Sequence, residues 1–500
     1  MSDGNGELPQ GWAEATIEEL CDLNPKHDRN LTDETEVSFV PMAAVSDVHG
    51  TITDPQVRPY GEVRKGFTHF ADGDVIFAKI TPCMENGKAA SVRGMTNRLA
   101  CGTTEFYVFR SLGAVNQDYL FHFVRQESYR TAARAQMQSG VGQARVPKDF
   151  VLNTTLPTPP LAEQRRIVSK IESLQERSSR AREALSEVGP LLEQFRQSVL
   201  AAAFRGDLTA DWREAHPDVE SASSMVARIQ PPPPPSRADS ATENEIDGDC
   251  GLSVGPTNRP IPSTWQCTRL TRVAQLVTGH TPSRKHPEYW DGGIPWIGIK
   301  DARDRNGCVI TETQQHVTEL GLANSASRLL PAGTVLVTRT TNSIGYSVVL
   351  GKEMATSQDF VGWVLPKEIN PQFLMYLMLA EYHGLRRFAK GSTSNPTVYF
   401  SEVLAFHVAL PPTDEQNEIV ARVESMLATI DQQARSAAES LSELTKLHQS
   451  ILAKAFRGEL VPQDPNDEPA SVLLERIRRE REATSVTKSN RSPRKASGRK

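Results

Sequence analysis

Residues able to do chemistry are plentiful, but their spacing fits no catalytic centre. A metal-dependent nuclease places an acidic residue two positions before a lysine to hold Mg2+ and activate water, and none of the sixteen lysines has Asp or Glu there. A base-flipping adenine methyltransferase needs an Asp/Asn-Pro-Pro-aromatic clamp, whereas Asn395-Pro396-Thr397 lacks the second proline. Gly140-Val141-Gly142 lacks the third glycine of a dinucleotide turn, and Gly351-Lys352 is followed by Glu353 rather than the Ser or Thr of a phosphate loop. Six cysteines, never within four positions of one another, exclude a Cys-x-x-Cys clip and read as reduced thiols. The sequence therefore points to a chain without catalytic, cofactor-binding or metal-binding residues of its own.

What remains are cations and small polar side chains whose chemistry suits binding rather than catalysis. Lys79 with Thr81, and Arg339 with Thr341 and Asn342, stand at matching exits of two predicted strands, where side chains leave the core. Ser283, Arg284 and Lys285 follow a predicted turn, and Arg64, Lys65, Arg145, Lys148, Lys300 and Ser392 complete the candidate DNA-binding set. For any single member a solvated cation or a local ion pair explains the residue as well as a DNA contact does. Trp290 and Trp296 are assigned to the core rather than to base stacking. Residues 1–157 carry 15 Lys/Arg against 20 Asp/Glu, so phosphate contacts there need help from basic partners.

The elements that must position these residues come twice. Residues 161–208 align with 413–460 at a constant offset of 252, without a gap and with 17 of 48 positions identical. Upstream, Gly73-Asp74-Val75 recurs as Gly333-Thr334-Val335 and Trp12 as Trp265. In each matched segment apolar positions alternate by four and three, from Ile167 and Ile171 to Phe195 and Val199, and from Ile419, Val423 and Met426 to Leu447 and Ile451. That is a coiled-coil seam over five heptads. Pro159-Pro160 and Pro411-Pro412 block upstream continuation, Glu163 and Glu415 suit a helix N-terminus, and Gly206 and Gly458 are stops. Gly189-Pro190 predicts a kink or short break. At 1.5 Å per residue, about 44 residues span roughly 65 Å, near two turns of duplex DNA, so an antiparallel pair would form a spacer with a module at either end.

The modules before these helices mix strands, such as 75–79 and 335–339, with helices over 118–137 and 372–388, so the fold class is α+β. Residues 207–260, with Pro231 to Pro235 and ten acidic against four basic residues, read as an extended acidic linker with a short helix. The C-terminal 475–500, with ten Lys/Arg against three Glu, reads as a basic disordered tail after another short helix. The longest large-apolar run, 373–380, falls far below the ~20 residues of a membrane span. The polar, acidic start lacks a leader pattern, and the expected location is cytoplasmic.

The doubled signature Pro-Pro…Glu163-Gln164…Ile167-Val168 and Pro-Pro…Glu415-Gln416…Ile419-Val420, with Phe204-Arg205-Gly206 and Phe456-Arg457-Gly458, resembles the specificity subunits of Type I restriction-modification systems. Gly279-His280-Thr281-Pro282-Ser283 and Tyr289-Trp290…Pro295-Trp296 add to the resemblance. It implies a target-recognition domain over 1–157, a spacer helix over 158–206, the linker, a second recognition domain over 261–411, a second spacer helix over 412–459, and a tail over 460–500. It further implies double-stranded DNA with a bipartite target, two DNA-methyltransferase subunits bringing S-adenosylmethionine, and a restriction/translocase subunit using ATP and Mg2+. Two other readings stay open on the residues alone. One is a stand-alone DNA-modifying enzyme with an unfamiliar site, and the other is a coiled-coil adaptor without a DNA role.

Overall fold

The proline pairs and glycines delimit two helices, Leu161–Arg205 and Thr413–Phe456, in the computed structural model. The structure describes residues 8–28, 30–137, 144–235, 238–257, 259–391 and 396–489. Gly206 and Gly458 end the helices with φ of 86° and 75°, a left-handed conformation that a Cβ would strain. The chain divides into two compact units, residues 1–186 with 439–500 and residues 187–438, so each unit holds part of both helices.

In the first unit the buried strand Asp74–Ala78 lies in a sheet ordered Cys21–Leu23, Phe106–Ser111, Asp74–Ala78, Ala89–Ser91. A second sheet orders Gln56–Pro59, Glu36–Val40, Leu99–Gly102 and Thr68–Ala71, and Ala13–Thr16 pairs with Thr155–Thr158. One core joins Ile167, Val168 and Ile171 of the first long helix to Ile451, Leu452, Ala455 and Phe456 of the second. The start of one helix thus meets the end of the other, which makes the pair antiparallel.

In the second unit Val335–Thr338 lies between Phe360–Val364 and Ser347–Leu350 in a five-stranded sheet. Its main core unites Leu200, Ala203 and Phe204 with Ile419, Val420 and Val423, again end against start. Both units fasten the helix start in the same way. Gln164 Oε1 accepts from Asn116 N at 2.6 Å while its Nε2 donates to the carbonyls of Ala114 (2.9 Å) and Pro159 (2.8 Å). Gln416 repeats this with Asn370 N (2.8 Å), Glu368 (3.3 Å) and Pro411 (3.0 Å). Asn116 and Asn370 in turn N-cap the helices Gln117–Val124 and Pro371–Ala380. The neighbouring Glu163 and Glu415 are buried, and Glu415 accepts from Thr209 at 2.7 Å and from Arg213.

Several expectations need correction. The first helix runs unbroken through Pro190. Pro190 is exposed, so water can serve the carbonyl left without its intrahelical donor. The seam is not a strict a/d stripe: Phe195, Leu447 and Met426 are 53%, 48% and 37% exposed. Burial resumes near the helix ends, at Val199, Leu200, Ala203 and Phe204 in the first and at Ile451, Leu452, Ala455 and Phe456 in the second. The helices expected over 118–137 and 372–388 are each split, into Gln117–Val124 and Glu127–Ala135, and into Pro371–Ala380 and Tyr382–Phe388. At the second break Glu381, fully buried, accepts from the backbone N–H groups of Asp249 (2.6 Å), Cys250 and Leu252 (3.1 Å).

Those contacts also overturn the extended tether. The short helix expected in this segment is Ala222–Arg228, with Met225 and Val226 in the core; the departure is Leu252–Val254, which pairs with Phe406–Leu410 as part of a sheet. Ala222 N bonds Thr264 O at 2.9 Å, and in the first unit Ala470 N bonds Gly11 O at the same length. The C-terminal helix Ala470–Ser489 is longer than expected, with Leu474 and Ile477 buried and Arg478 paired with Glu19 at 2.6 Å. Residues 490–500 lie outside the described residues. Among the described residues no helix is long and apolar enough to cross a membrane, and no cluster of three acidic, His or Cys side chains is placed to hold a metal.

Candidate nucleic-acid interface

The backbone at the two strand exits is built alike. In the first unit Val146 N donates to Lys79 O at 2.9 Å and Thr81 N to Ala144 O at 3.3 Å, so the segment Ala144 to Lys148 adds a short rung beside Lys79 and Thr81. In the second, Val398 N donates to Arg339 O at 2.9 Å and Thr341 N to Pro396 O at 2.7 Å. The sequence signal, a strand ending in a cation and a threonine, located both exits. It missed the returning segments, because the paired residues lie 55 to 67 positions apart in the chain.

The side chains differ. The Lys79 ammonium lies 5.3 Å from the Tyr107 ring centroid, and burial lowers its pKa. Arg145 makes a two-pronged pair with Glu105 at 3.0 and 2.8 Å, which holds that carboxyl below its usual range. Arg145 is 55% exposed, so solvent screens the pair and a phosphate can compete for it. Lys148 opens the helix Lys148–Asn153 beside this group and is exposed. Arg64 and Lys65 sit elsewhere, after the helical turn Tyr60–Val63. Arg64 is paired with Asp33 at 2.7 Å.

In the second unit the loop 279–286 and the strand exit meet at Gln358. Thr281 donates to Gln358 Oε1 from its N (3.1 Å) and its Oγ1 (3.0 Å), while Arg339 Nε donates to the Gln358 carbonyl at 3.2 Å. Arg339 also reaches Val398 O at 3.4 Å and stacks on Phe400 at 4.8 Å, and burial lowers its pKa. Its guanidinium is thus occupied in holding the exit together. Thr341 and Asn342 are exposed, and the Asn342 carbonyl accepts from Arg386 at 2.9 Å. Ser283, Arg284 and Lys285 are exposed on the loop; Arg284 lies over Trp290 at 4.0 Å and donates to Gln315 Oε1 at 2.9 Å. Lys300 donates to the adjacent Gln314 at 2.8 Å. Ser392 lies outside the described residues. Trp296 is buried as expected, but Trp290 is only half-buried and supports Arg284, a role no periodicity in the sequence signals.

Two modules on one frame, with dissimilar polar groups at corresponding exits, have the form of paired sequence readers. Comparison with known proteins names the frame. The Type I restriction modification DNA specificity domain matches twice, over residues 9–187 and 262–439. The chain belongs to that family. It is a DNA sequence-specificity subunit, and both matches run from a module into the following long helix. The EcoEI specificity subunit of Escherichia coli is 27% identical over 498 aligned residues, covering 88% of this chain and 82% of that protein. The EcoKI specificity subunit of E. coli strain K12 is 23% identical, covering 97% and 99%. The EcoAI specificity subunit of E. coli is 40% identical over a shorter stretch of 169 residues, 34% of this chain and 28% of that protein. The crystal structure of the HsdS subunit from Thermoanaerobacter tengcongensis shares the fold, with a TM-score of 0.63, 22% identity, and coverage of 92% of this chain and 100% of that one.

Proposed function

We propose that residues 1–157 and 261–411 each read one half of a bipartite double-stranded DNA target, with the antiparallel helix pair fixing the interval between the halves. The observation that carries this reading is the repeated exit geometry bearing unlike side chains: one frame presents two different donor and acceptor sets, as two different half-sites require. The chain contributes recognition and scaffolding and no catalytic group. Two methyltransferase subunits dock on it and bring S-adenosylmethionine, and a restriction/translocase subunit brings ATP and Mg2+ chemistry. The candidate residues divide into phosphate-facing cations, Lys65, Lys148, Lys285 and Lys300, and groups nearer base edges, Lys79, Thr81, Thr341, Asn342 and Arg284. Arg64 and Arg145 contact DNA only by exchanging their carboxylates for phosphate, and Ser283 shapes the loop that carries Arg284.

Co-expression with methyltransferase subunits of a Type I system tests this reading. The expected result is a co-purifying complex that methylates one bipartite sequence, with the chain alone binding DNA weakly and in a salt-sensitive manner. Methyl transfer or DNA nicking by the purified chain without a partner would contradict it.

A further inference from the structure

Of the four arginines among the sequence candidates, Arg64 and Arg145 are paired with carboxylates and Arg339 is spent on backbone carbonyls. Arg284 is held differently. Its guanidinium lies 4.0 Å from the Trp290 ring centroid and 5.8 Å from that of Trp296, and Nη2 donates to Gln315 Oε1 at 2.9 Å. The platform beneath it is itself fixed. The two indoles meet edge to face at 5.2 Å, and Trp290 Nε1 and Trp296 Nε1 donate to the carbonyls of Ser283 and His280, each at 3.4 Å. The loop is anchored by His280 N on Thr356 O at 2.9 Å and by Thr281 on Gln358.

A planar guanidinium stacked on a ring and keyed by an amide keeps donors in one plane on its open edge, and the ordering of its long side chain is already complete before a ligand arrives. A phosphate needs only positive charge, which Lys285 and Lys300 supply nearby. A flat, oriented fork matches a pair of acceptors in a plane, as guanine offers with O6 and N7 in the major groove. We propose that Arg284, stacked on Trp290 and keyed by Gln315, reads a guanine of the half-site contacted by residues 261–411. This rests on the reading that the module contacts bases.

The test uses the full chain at low salt. Selection from a random duplex pool yields its preferred sequence, and each G·C pair of that sequence is then replaced in turn by A·T. For the wild type, one guanine in one half carries a penalty of roughly 10- to 100-fold that Arg284→Ala removes, while penalties in the other half stay as they were. Arg284→Lys restores affinity for DNA in general without restoring the full penalty, and Trp290→Phe, which keeps a ring under the guanidinium, retains most of it. Thermal melting confirms that each variant is folded. The proposal is overturned if Arg284→Ala keeps the wild-type penalty at every guanine, or if it weakens all duplexes equally and lysine restores them fully, which would mark a phosphate contact. If the wild type selects no sequence at all, the reading of the module falls first and this proposal with it, an outcome distinct from an unchanged guanine penalty.

Discussion

The strand exits of the two units share a backbone and differ in chemistry. Val146 on Lys79 and Val398 on Arg339 form the same rung at the same 2.9 Å, and Gln164 and Gln416 fasten the two helix starts through the same three kinds of contact. On that frame the first unit presents a lysine over a tyrosine and an arginine on a carboxylate, and the second presents an arginine on a tryptophan. Main-chain pairing does not depend on which side chains project from it, so the frame can be held constant while the presented groups change. The carboxylate partner in the first unit can be displaced by phosphate at little cost; the aromatic partner in the second leaves the guanidinium edge open without displacement.

The largest expected contrast is acid sensitivity. Burial pushes His122 of the first unit down to about 3, with Arg125 and His448 adding to the effect, and His27, His69 and His448 are lowered as well. In the second unit burial lowers His407, and the residue that corresponds to His122, six positions after the capping asparagine, is Tyr376. Geometry agrees for His69, whose Nδ1 accepts from His27 N at 3.4 Å and would lose that role on protonation. A histidine whose folded pKa lies below its unfolded value of about 6.5 gives its full stability above that pH and loses it as pH falls toward the folded value. For His122 this is up to about 1.4 kcal/mol per pH unit between roughly 6 and 3. Buried Glu163 and Glu381, both raised, act in the opposite sense, one in each unit. Limited proteolysis or hydrogen exchange at pH 5 and pH 7.5 should show the first unit opening first, and His122→Tyr should reduce the difference. Equal acid loss in both units would break the contrast.

Next in size are the helix anchors. Gln164→Ala strands the N–H of Asn116 and the carbonyls of Ala114 and Pro159, and Gln416→Ala strands the N–H of Asn370 and the carbonyl of Pro411 while Glu368 O keeps Thr413 Oγ1, each at a cost of about 2–3 kcal/mol. Denaturant unfolding followed with a probe in each unit should find losses that match within about 1 kcal/mol; a large inequality would mean that the frame is not equivalent. The smallest effect concerns charge. Glu105→Ala releases Arg145 and removes a negative charge near Lys79, so general DNA affinity should rise several-fold and the dependence of log K on log salt should steepen by about 1. Arg339→Ala should weaken the fold of the second unit and leave that slope unchanged, since its guanidinium is already committed to Gln358, Val398 and Phe400.

Local signals carried far in this chain where the structure obeys them locally. The 252-residue offset, the proline pairs and the glycine stops located both helices to within a few residues, because caps and breakers act within one turn. Some heptad positions did not follow the seam, since Phe195 and Leu447 are half exposed although the next positions of the register, Val199 and Ile451, are buried. Residues 207–260 looked like a tether because their composition is acidic and proline-rich. Their order comes from distant partners: Met225 and Val226 pack in the core, Thr209 and Arg213 bind Glu415, and Glu381, more than 120 residues away in sequence, binds the N–H groups of Asp249, Cys250 and Leu252. The basic C-terminal arginines looked free because Glu19, the partner of Arg478, stands near the other end of the chain. Among the candidate contacts, positive charge and position at a strand exit were legible. The partner that decides how each cation is presented, Glu105, Phe400 or Trp290, was not, because strand pairing and loop packing bring it in.

The most direct test of two independent readers on one frame is to replace residues 8–157 with the corresponding module of another specificity subunit and sequence the DNA methylation that results in cells supplying the methyltransferase subunits. One half of the bipartite sequence should change while the other half and the interval between them persist. If both halves change together, or if neither does, the account is contradicted.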